Sequence, residues 1–212
     1  MEVTLVDKES QILPGLLDPD MADYVRKEIQ KSGVKILLSS SLEEILGNGN
    51  VKGIRTAFGS VSGEMVILAL GVRPNSAFVS DLGLEMEKGA IVVDESMKTN
   101  VHDIYAAGDV AMVRNMATHS RQYSAMGSTA NITGRILAKA ISGEKAEYKG
   151  CLGTAVIKAT DSLNVGRTGL TLAGAEKQGF DVESVSVVRD DKPGYYPGSG
   201  NFVIKLIAER GT

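Results

Sequence analysis

Short apolar runs alternate with glycine-rich breaks along most of the chain. Val3-Thr4-Leu5-Val6 reads as a buried strand ending at Asp7. After a loop over residues 8–17, Asp18-Pro19 opens a helix. Asp18 stands at the cap and Pro19 at the first helical position, where a missing N–H breaks no hydrogen bond. Met21, Val25 and Ile29 recur at a spacing of four and give the helix one apolar face. Gly33 stands where helices commonly stop, and residues 34–38 form the next strand. A strand, a helix and a strand in this order predict a right-handed parallel crossover.

The pattern then changes. Residues 42–46, 51–58 and 65–70 read as short strands, separated by Gly47-Asn48-Gly49-Asn50 and by the glycine-bounded stretch 59–63. Asn- and Gly-rich breaks between β-branched runs predict hairpins, so an antiparallel excursion is expected. It ends at Gly71-Val72-Arg73-Pro74-Asn75. Residues 90–93 and 104–107 are further strands, the second running into Gly108-Asp109. A helix of small residues is expected over 123–141, with Gly143 beyond it. Gly127 and Gly134 within it predict close packing against a backbone or a ligand. From Leu152 on, strands at 154–159, 164–168, 182–188 and 202–207 and a helix at 171–178 capped by Thr171 form a separate α+β segment. Its boundary is expected near 143–150.

Composition narrows the class. Of 212 residues, 43% are hydrophobic and 23% charged, so a packed core is expected. The net charge of -3 and the lack of clustered Lys and Arg argue against a nucleic-acid surface. The acidic stretches at 18–23 and 190–191 read as solvated faces or loop ends. The longest apolar run, 65–70, has the length of a strand and not of a membrane span. No signal peptide is expected, because Met1-Glu2-Val3 enters a strand at once. A single cysteine, Cys151, rules out an internal disulfide framework and makes a reducing, cytoplasmic setting the expectation. The 24 glycines imply tight turns and close backbone approaches.

Two acidic residues carry most of the candidate chemistry. Asp7, at the end of a strand, can hydrogen-bond the ribose of NAD or simply cap its own turn. A glycine fingerprint about 20 residues before it would lie ahead of Met1. Either Asp7 lacks the ribose role or the first strand and its glycine loop are missing. In Tyr105-Ala106-Ala107-Gly108-Asp109 the strand delivers Gly108, which lets a ligand approach the backbone. Asp109 follows at its carboxyl end, where α/β sheets place ligands. A carboxylate there can accept hydrogen bonds from a polyol such as the flavin ribityl chain; the plainer reading is a capping Asp at a strand–turn junction. His102 and His119 have no cysteine partners at metal spacing, so no metal site is expected. Ser120, Ser124 and Ser128 lack the strand–Ser–helix elbow of a hydrolase. Arg73, beside Pro74, could meet a phosphate or form a structural salt bridge.

With these residues in place, the chain resembles the pyridine nucleotide-disulfide oxidoreductases, in the branch of coenzyme A-disulfide reductases, NADH oxidases and NADH peroxidases. The resemblance rests on Val3 to Asp7, Ile12-Leu13-Pro14 with Leu17-Asp18-Pro19-Asp20-Met21, Ala69-Leu70-Gly71-Val72-Arg73-Pro74-Asn75, the motif from Thr99 to Asp109, Leu152-Gly153-Thr154-Ala155-Val156 and Tyr195-Tyr196-Pro197-Gly198. All occur in the family's order. It implies an α/β fold: a truncated Rossmann-like nucleotide-binding domain with an antiparallel excursion, followed by part of an α+β dimerisation domain. Residues 1–88 would be the remainder of the NAD-binding domain, 89–145 the return of the FAD-binding domain, and 146–212 the first part of the interface domain.

The implied cofactors are FAD and NAD(P)H. Asp7 would contact the adenosine ribose and favour NADH over NADPH by repelling a 2′-phosphate. Gly71 would pass near the NAD. Asp109 would bind the ribityl chain, with Gly108 letting the backbone pass close to the cofactor. Ala125, Met126 and Gly127 would begin the helix whose N–H groups face the flavin pyrimidine, and Val156 would touch the nicotinamide side. Tyr195 or Tyr196 would reach the partner subunit's active site in a homodimer. The family's redox cysteine has no match in Cys151, which is expected to be a structural thiol. The implied activity carries hydride from NAD(P)H to FAD and on to a cysteine-based disulfide, with coenzyme A disulfide favoured, or to oxygen or peroxide. The other reading is a non-catalytic remnant serving as a binding or dimerisation module. The chain by itself is expected to retain little or no FAD, because no glycine loop is present to cradle the pyrophosphate. Purification as a yellow protein with stoichiometric flavin would overturn this. It is also expected to self-associate through an unpaired sheet edge, and a monodisperse monomer in light scattering would contradict that.

Overall fold

The computed structural model describes residues 1–211. In chain order the elements are β1 (Thr4–Val6), α1 (Pro19–Lys31), β2 (Lys35–Leu37), β3 (Leu42–Asn48), β4 (Asn50–Thr56), β5 (Gly59–Ser62), β6 (Met86–Glu87), β7 (Ala90–Val92), β8 (Ala111–Arg114), β9 (Arg121–Tyr123), α2 (Gly127–Ile141), β10 (Ala155–Thr160), β11 (Leu163–Arg167), α3 (Leu172–Lys177), β12 (Val182–Asp190) and β13 (Asn201–Glu209). Short 3-10 turns occupy Ala77–Leu82 and Gly108–Val110. The chain divides into two compact units. One joins Met1–Leu68 to the segment from Ala155 onward, and the other is Ala69–Thr154.

In the first unit, β1 and β2 pair in parallel, with Leu5 opposite Ile36. The helix between them packs Ala22 and Val25 against Ile12, Leu17 and Val165, with Leu5, Tyr24, Ile29 and Ile157 around that cluster. Strands β3, β4 and β5 form an antiparallel meander. The third strand is not the expected run at 65–70 but Gly59–Ser62, a stretch that reads as a turn in sequence. The close approach of Gly53 explains the pairing. Its φ is 147°, and a Cβ there would overlap the carbonyl oxygen of Val61. Thr56 closes the turn, accepting from Phe58 N–H at 3.3 Å and donating to the Gly59 carbonyl at 3.0 Å. Residues 65–70 have no ladder partner among the described residues, and Met65, Ile67, Leu68 and Leu70 are exposed. Strand propensity alone does not make a strand when no edge is offered to it.

Asp18 departs from its expected role. It stands at the cap of α1, but its side chain makes no bond to that helix. Its two carboxylate oxygens instead accept the N–H groups of Leu172, at 2.9 Å, and Ala173, at 3.1 Å, at the start of α3. Lys205 of β13 lies 3.2 Å away and also bonds Asp20 at 2.9 Å. Only 6% of Asp18 is exposed. Thr171, as expected, caps α3 by accepting from Gly174 N–H at 3.0 Å. One carboxylate thereby fixes α1, α3 and β13 together.

In the second unit, β6 to β9 form one sheet, with β7 and β8 parallel and the outer pairs antiparallel. Ala90, Val92 and Met112 pack on one side, and Ile91, Ala106 and Ala111 on the other. The expected strand at 104–107 is only a single bridge, between Lys98 and Tyr105. The backbone of this stretch bonds a neighbouring loop, through Thr99 N–H to Ile104 and Ala106 N–H to Met97. Gly108 then turns at φ 76°, and the true strand is β8, which follows Asp109 instead of preceding it. The second helix begins at Gly127, because residues 121–123 pair with β8 as β9. A Cβ on Gly127 or Gly134 would meet nothing within 4 Å, so neither glycine packs closely against a neighbouring backbone of the chain. Among the described residues no helix is long and apolar enough to cross a membrane.

Burial alone would push the Asp18 carboxyl up, but the two amide bonds and Lys205 hold it below the usual carboxylate range. A depressed folded value means that this contribution to stability is complete above the unfolded value of about 3.9 and is lost as pH falls through the folded one. Asp18→Ala is expected to cost about 3 kcal/mol, since it strands Lys205 and two helix amides. Urea titrations at pH 7 and across pH 2–5 check this. The variant should lose stability at pH 7 and show a flatter acid limb than the parent.

Candidate functional site

The second unit brings five of the expected cofactor residues close together. The Gly108–Asp109 turn lies against the first two turns of α2. Gly108 N–H donates to Thr133 Oγ1 at 3.1 Å, and a Cβ on Gly108 would lie 3.7 Å from that of Ala130. Thr133 is fully buried and donates its own proton to the Thr129 carbonyl at 2.8 Å. The threonine therefore accepts and donates at once, and the turn is pinned to the helix. Asp109 itself is exposed. Its charge reaches Tyr123, whose phenol is pushed up first by burial and then by that carboxylate.

The start of α2 is open. Met126 occupies the cap, and its side chain makes no capping bond. The first intrahelical bond runs from Ala130 N–H to the Met126 carbonyl at 2.9 Å. The N–H groups of Gly127, Ser128 and Thr129 therefore lack intrahelical acceptors, as helix geometry requires, and carry the positive end of the helix dipole. Ala125 is half-buried and Gly127 exposed, with open space where a side chain would stand. Beneath this end, Ser124 and Thr129 share a buried hydroxyl bond of 2.9 Å. A carboxylate that accepts hydroxyl hydrogen bonds and a row of amides that favour negative charge together suit a ligand with a polyol chain and an electron-rich ring edge. Gly71 belongs to the same unit, in the irregular stretch before the first 3-10 turn, at φ 90° and exposed.

The other expected residues belong to the first unit. Asp7 follows β1 and is half-buried. One of its carboxylate oxygens accepts Glu9 N–H at 3.0 Å, which leaves the second oxygen for an outside donor. Its backbone is fixed at both ends, by Asp7 N–H to Leu37 and Ser40 N–H to Asp7. Val156 points outward from β10, opposite Gly166, and is 72% exposed. Tyr195 and Tyr196 stand on the loop between β12 and β13, with ring centroids 5.7 Å apart.

Among the described residues no cluster of His, Cys, Asp and Glu could hold a metal. His102 pairs with Asp103 at the surface and His119 with Arg114. Cys151 is half-buried beside Val113 and Tyr148. Thr133 is the site residue that sequence reading missed. The available signal was two threonines four apart, Thr129 and Thr133, on a helix of small residues facing the Gly108 turn.

Residues 1–128 match the family of pyridine nucleotide-disulphide oxidoreductases. The chain is 36% identical over 207 residues to the NADH oxidase of Methanocaldococcus jannaschii, covering 98% of this chain and 46% of that protein. It is 32% identical over 211 residues to the CoA-dependent NAD(P)H sulfur oxidoreductase of Pyrococcus furiosus, covering 99% of this chain and 47% of that one. The solved structure of an NAD-dependent persulfide reductase from A. fulgidus is similar at a TM-score of 0.93 and 31% identity, over 100% of this chain and 39% of that one. The chain spans about half the length of the curated relatives it matches. It belongs to the pyridine nucleotide-disulphide oxidoreductase family, in the branch of NADH oxidases and coenzyme A-disulfide reductases.

Proposed function

We propose that the chain forms part of an FAD-dependent NAD(P)H oxidoreductase whose acceptor is a cysteine-based disulfide, with coenzyme A disulfide favoured over oxygen and peroxide. The observation that carries this reading is the Gly108–Asp109 turn pinned by Thr133 against the open N-terminus of α2. When bound, FAD supplies the two-electron chemistry; the residues here hold and orient it. Asp109 accepts hydrogen bonds from the ribityl hydroxyls. Ala125 and Met126 lead into the helix start, and the free amides at Gly127 and Ser128 face the pyrimidine edge, where the helix dipole favours negative charge. Gly108 keeps the backbone close to the ligand.

In the same reading, Asp7 binds the adenosine ribose with its second carboxylate oxygen and disfavours a 2′-phosphate, which makes NADH the preferred donor. Gly71 passes beside that cofactor and Val156 borders the nicotinamide. One of Tyr195 and Tyr196 reaches the disulfide in the partner subunit of a homodimer. Residues 1–88 then belong to an NAD-binding domain, 89–145 to an FAD-binding domain and 146–212 to an interface domain, in a cytoplasmic enzyme. The preference for a coenzyme A acceptor is supported by the exposed tyrosine pair and by the CoA-dependent Pyrococcus relative.

The test is made in the full-length flavoprotein. Asp109→Ala is expected to lower FAD retention about ten- to a hundredfold, because it removes a charge-assisted hydrogen bond. Flavin absorbance after gel filtration measures this, and undiminished binding would sink the ribityl role. NADH consumption with coenzyme A disulfide and with oxygen decides the acceptor, and oxidase activity without disulfide reduction would remove the coenzyme A preference. Thr133→Val should cost about 1–3 kcal/mol in urea unfolding of the chain, since it leaves the part-buried Gly108 N–H without an acceptor. It should also speed amide exchange at Gly108, and unchanged exchange there would show that Thr133 does not pin the turn.

A further inference from the structure

Strands β12 and β13 stay in register to their last pair, Asp190 opposite Asn201. The loop between them, residues 191–200, is Asp191-Lys192-Pro193-Gly194-Tyr195-Tyr196-Pro197-Gly198-Ser199-Gly200, and every residue in it is exposed. A surface loop with this much glycine and no buried side chain has little to hold it. Here it is tied at the neck. Asp191 N–H donates to the Gly200 carbonyl at 2.9 Å. Asp191 Oδ1 accepts Gly200 N–H at 2.8 Å and the Ser199 hydroxyl at 3.2 Å. Lys192 Nζ reaches the Gly198 carbonyl at 2.9 Å, and Tyr196 N–H bonds Pro193 at 2.8 Å. The Gly200 amide, followed by the Ser199 hydroxyl and Lys192, holds the Asp191 carboxyl below its ordinary range.

This clamp holds two large aromatic rings in the solvent. Tyr195 is 82% exposed and Tyr196 58%, and the rings are tilted by 48° to each other. Tyrosines contribute most when their rings are buried and their hydroxyls bonded, and a fixed loop that denies them both presents them to something else. We propose that Asp191 is a positioning residue: by closing the neck of the loop, it sets the Tyr195–Tyr196 pair in the pose from which one of the two meets the acceptor disulfide. The proposal rests on the reading that this pair serves the disulfide site. Asp191 does not touch substrate. It removes, before binding, the freedom that the tyrosines would otherwise lose on binding.

The experiment compares Asp191→Ala, Asp191→Asn and the double variant Tyr195→Ala/Tyr196→Ala in the full-length flavoenzyme. Two rates are read: NADH-dependent reduction of coenzyme A disulfide, and NADH-dependent reduction of ferricyanide, which does not need the tyrosines. Asp191→Ala is expected to raise KM for the disulfide about three- to tenfold, the cost of ordering two side chains on binding, with the ferricyanide rate unchanged. Asp191→Asn keeps the Oδ1 acceptor for Gly200 and Ser199 and should restore KM. Backbone order parameters for residues 194–198 should fall below about 0.6 in the Ala variant alone. An Asp191→Ala enzyme with parental KM, beside a tyrosine variant whose KM rises, overturns the proposal while sparing the role of the tyrosines. A tyrosine variant with parental KM removes that role and the proposal with it. An equal loss of both rates in Asp191→Ala shows general damage and also overturns it.

Discussion

The first unit depends on one buried carboxylate. Asp18 is joined by hydrogen bonds to Leu172 and Ala173, more than 150 positions later in the chain. A charge so deeply buried is tolerable only when every side of it is answered, and here two amides and a lysine do so. The constraint is mutual. Lys205 is itself largely covered on β13 and would be costly without Asp18 and Asp20. Arg167 lies close enough to feel the same carboxylate, which opposes the lowering of its own value by burial. The apolar contacts around Ile12, Leu17 and Val165 bring these elements together without fixing direction, and the carboxylate supplies direction.

The second unit uses the same device with a neutral group. Its apolar clusters are small, each of three buried side chains, with Met97, Met112 and Tyr148 among them. Apolar contacts of this size bring elements together without fixing their register. Thr133, accepting from Gly108 and donating to Thr129, removes that freedom at the one place where a turn must meet a helix end. A valine has the same shape and would fill the same space, but it could not hold the turn.

Much of this architecture was legible in the sequence, and the failures share a cause. The parallel β1–α1–β2 unit, the Thr171 cap and the strands from 155 onward followed from local pattern, because each is decided within a few residues. Residues 65–70 and 104–107 have the composition of strands but are not strands, because pairing needs a partner at the right edge. The partner of β4 was instead the glycine- and serine-rich stretch 59–62, admitted by the missing side chain of Gly53. Asp18 was placed correctly at a helix cap, but its acceptor oxygens serve a helix that sequence spacing could not bring near it. The candidate site residues came from family motifs and not from local pattern. Thr133 was missed because a buried threonine in a helix looks the same whether it packs or bonds.

Most of the expected ligand contacts have a common position, the end of an element; Gly71, in an irregular stretch, and Val156, within β10, are the exceptions. Asp7 follows β1, Asp109 follows a glycine turn, Met126 and Gly127 open α2, and the tyrosines cap the β12–β13 hairpin. Element ends carry backbone groups that regular hydrogen bonding leaves over, and these are what a polar cofactor can use without disturbing the core. The price is flexibility, since ends fray. In this chain three of these ends are tied back by a specific polar bond: Asp7 to Glu9, Gly108 to Thr133, Asp191 to Gly200. Their positions are explained by what they hold in place: a strand end, a turn against a helix, and the neck of a loop.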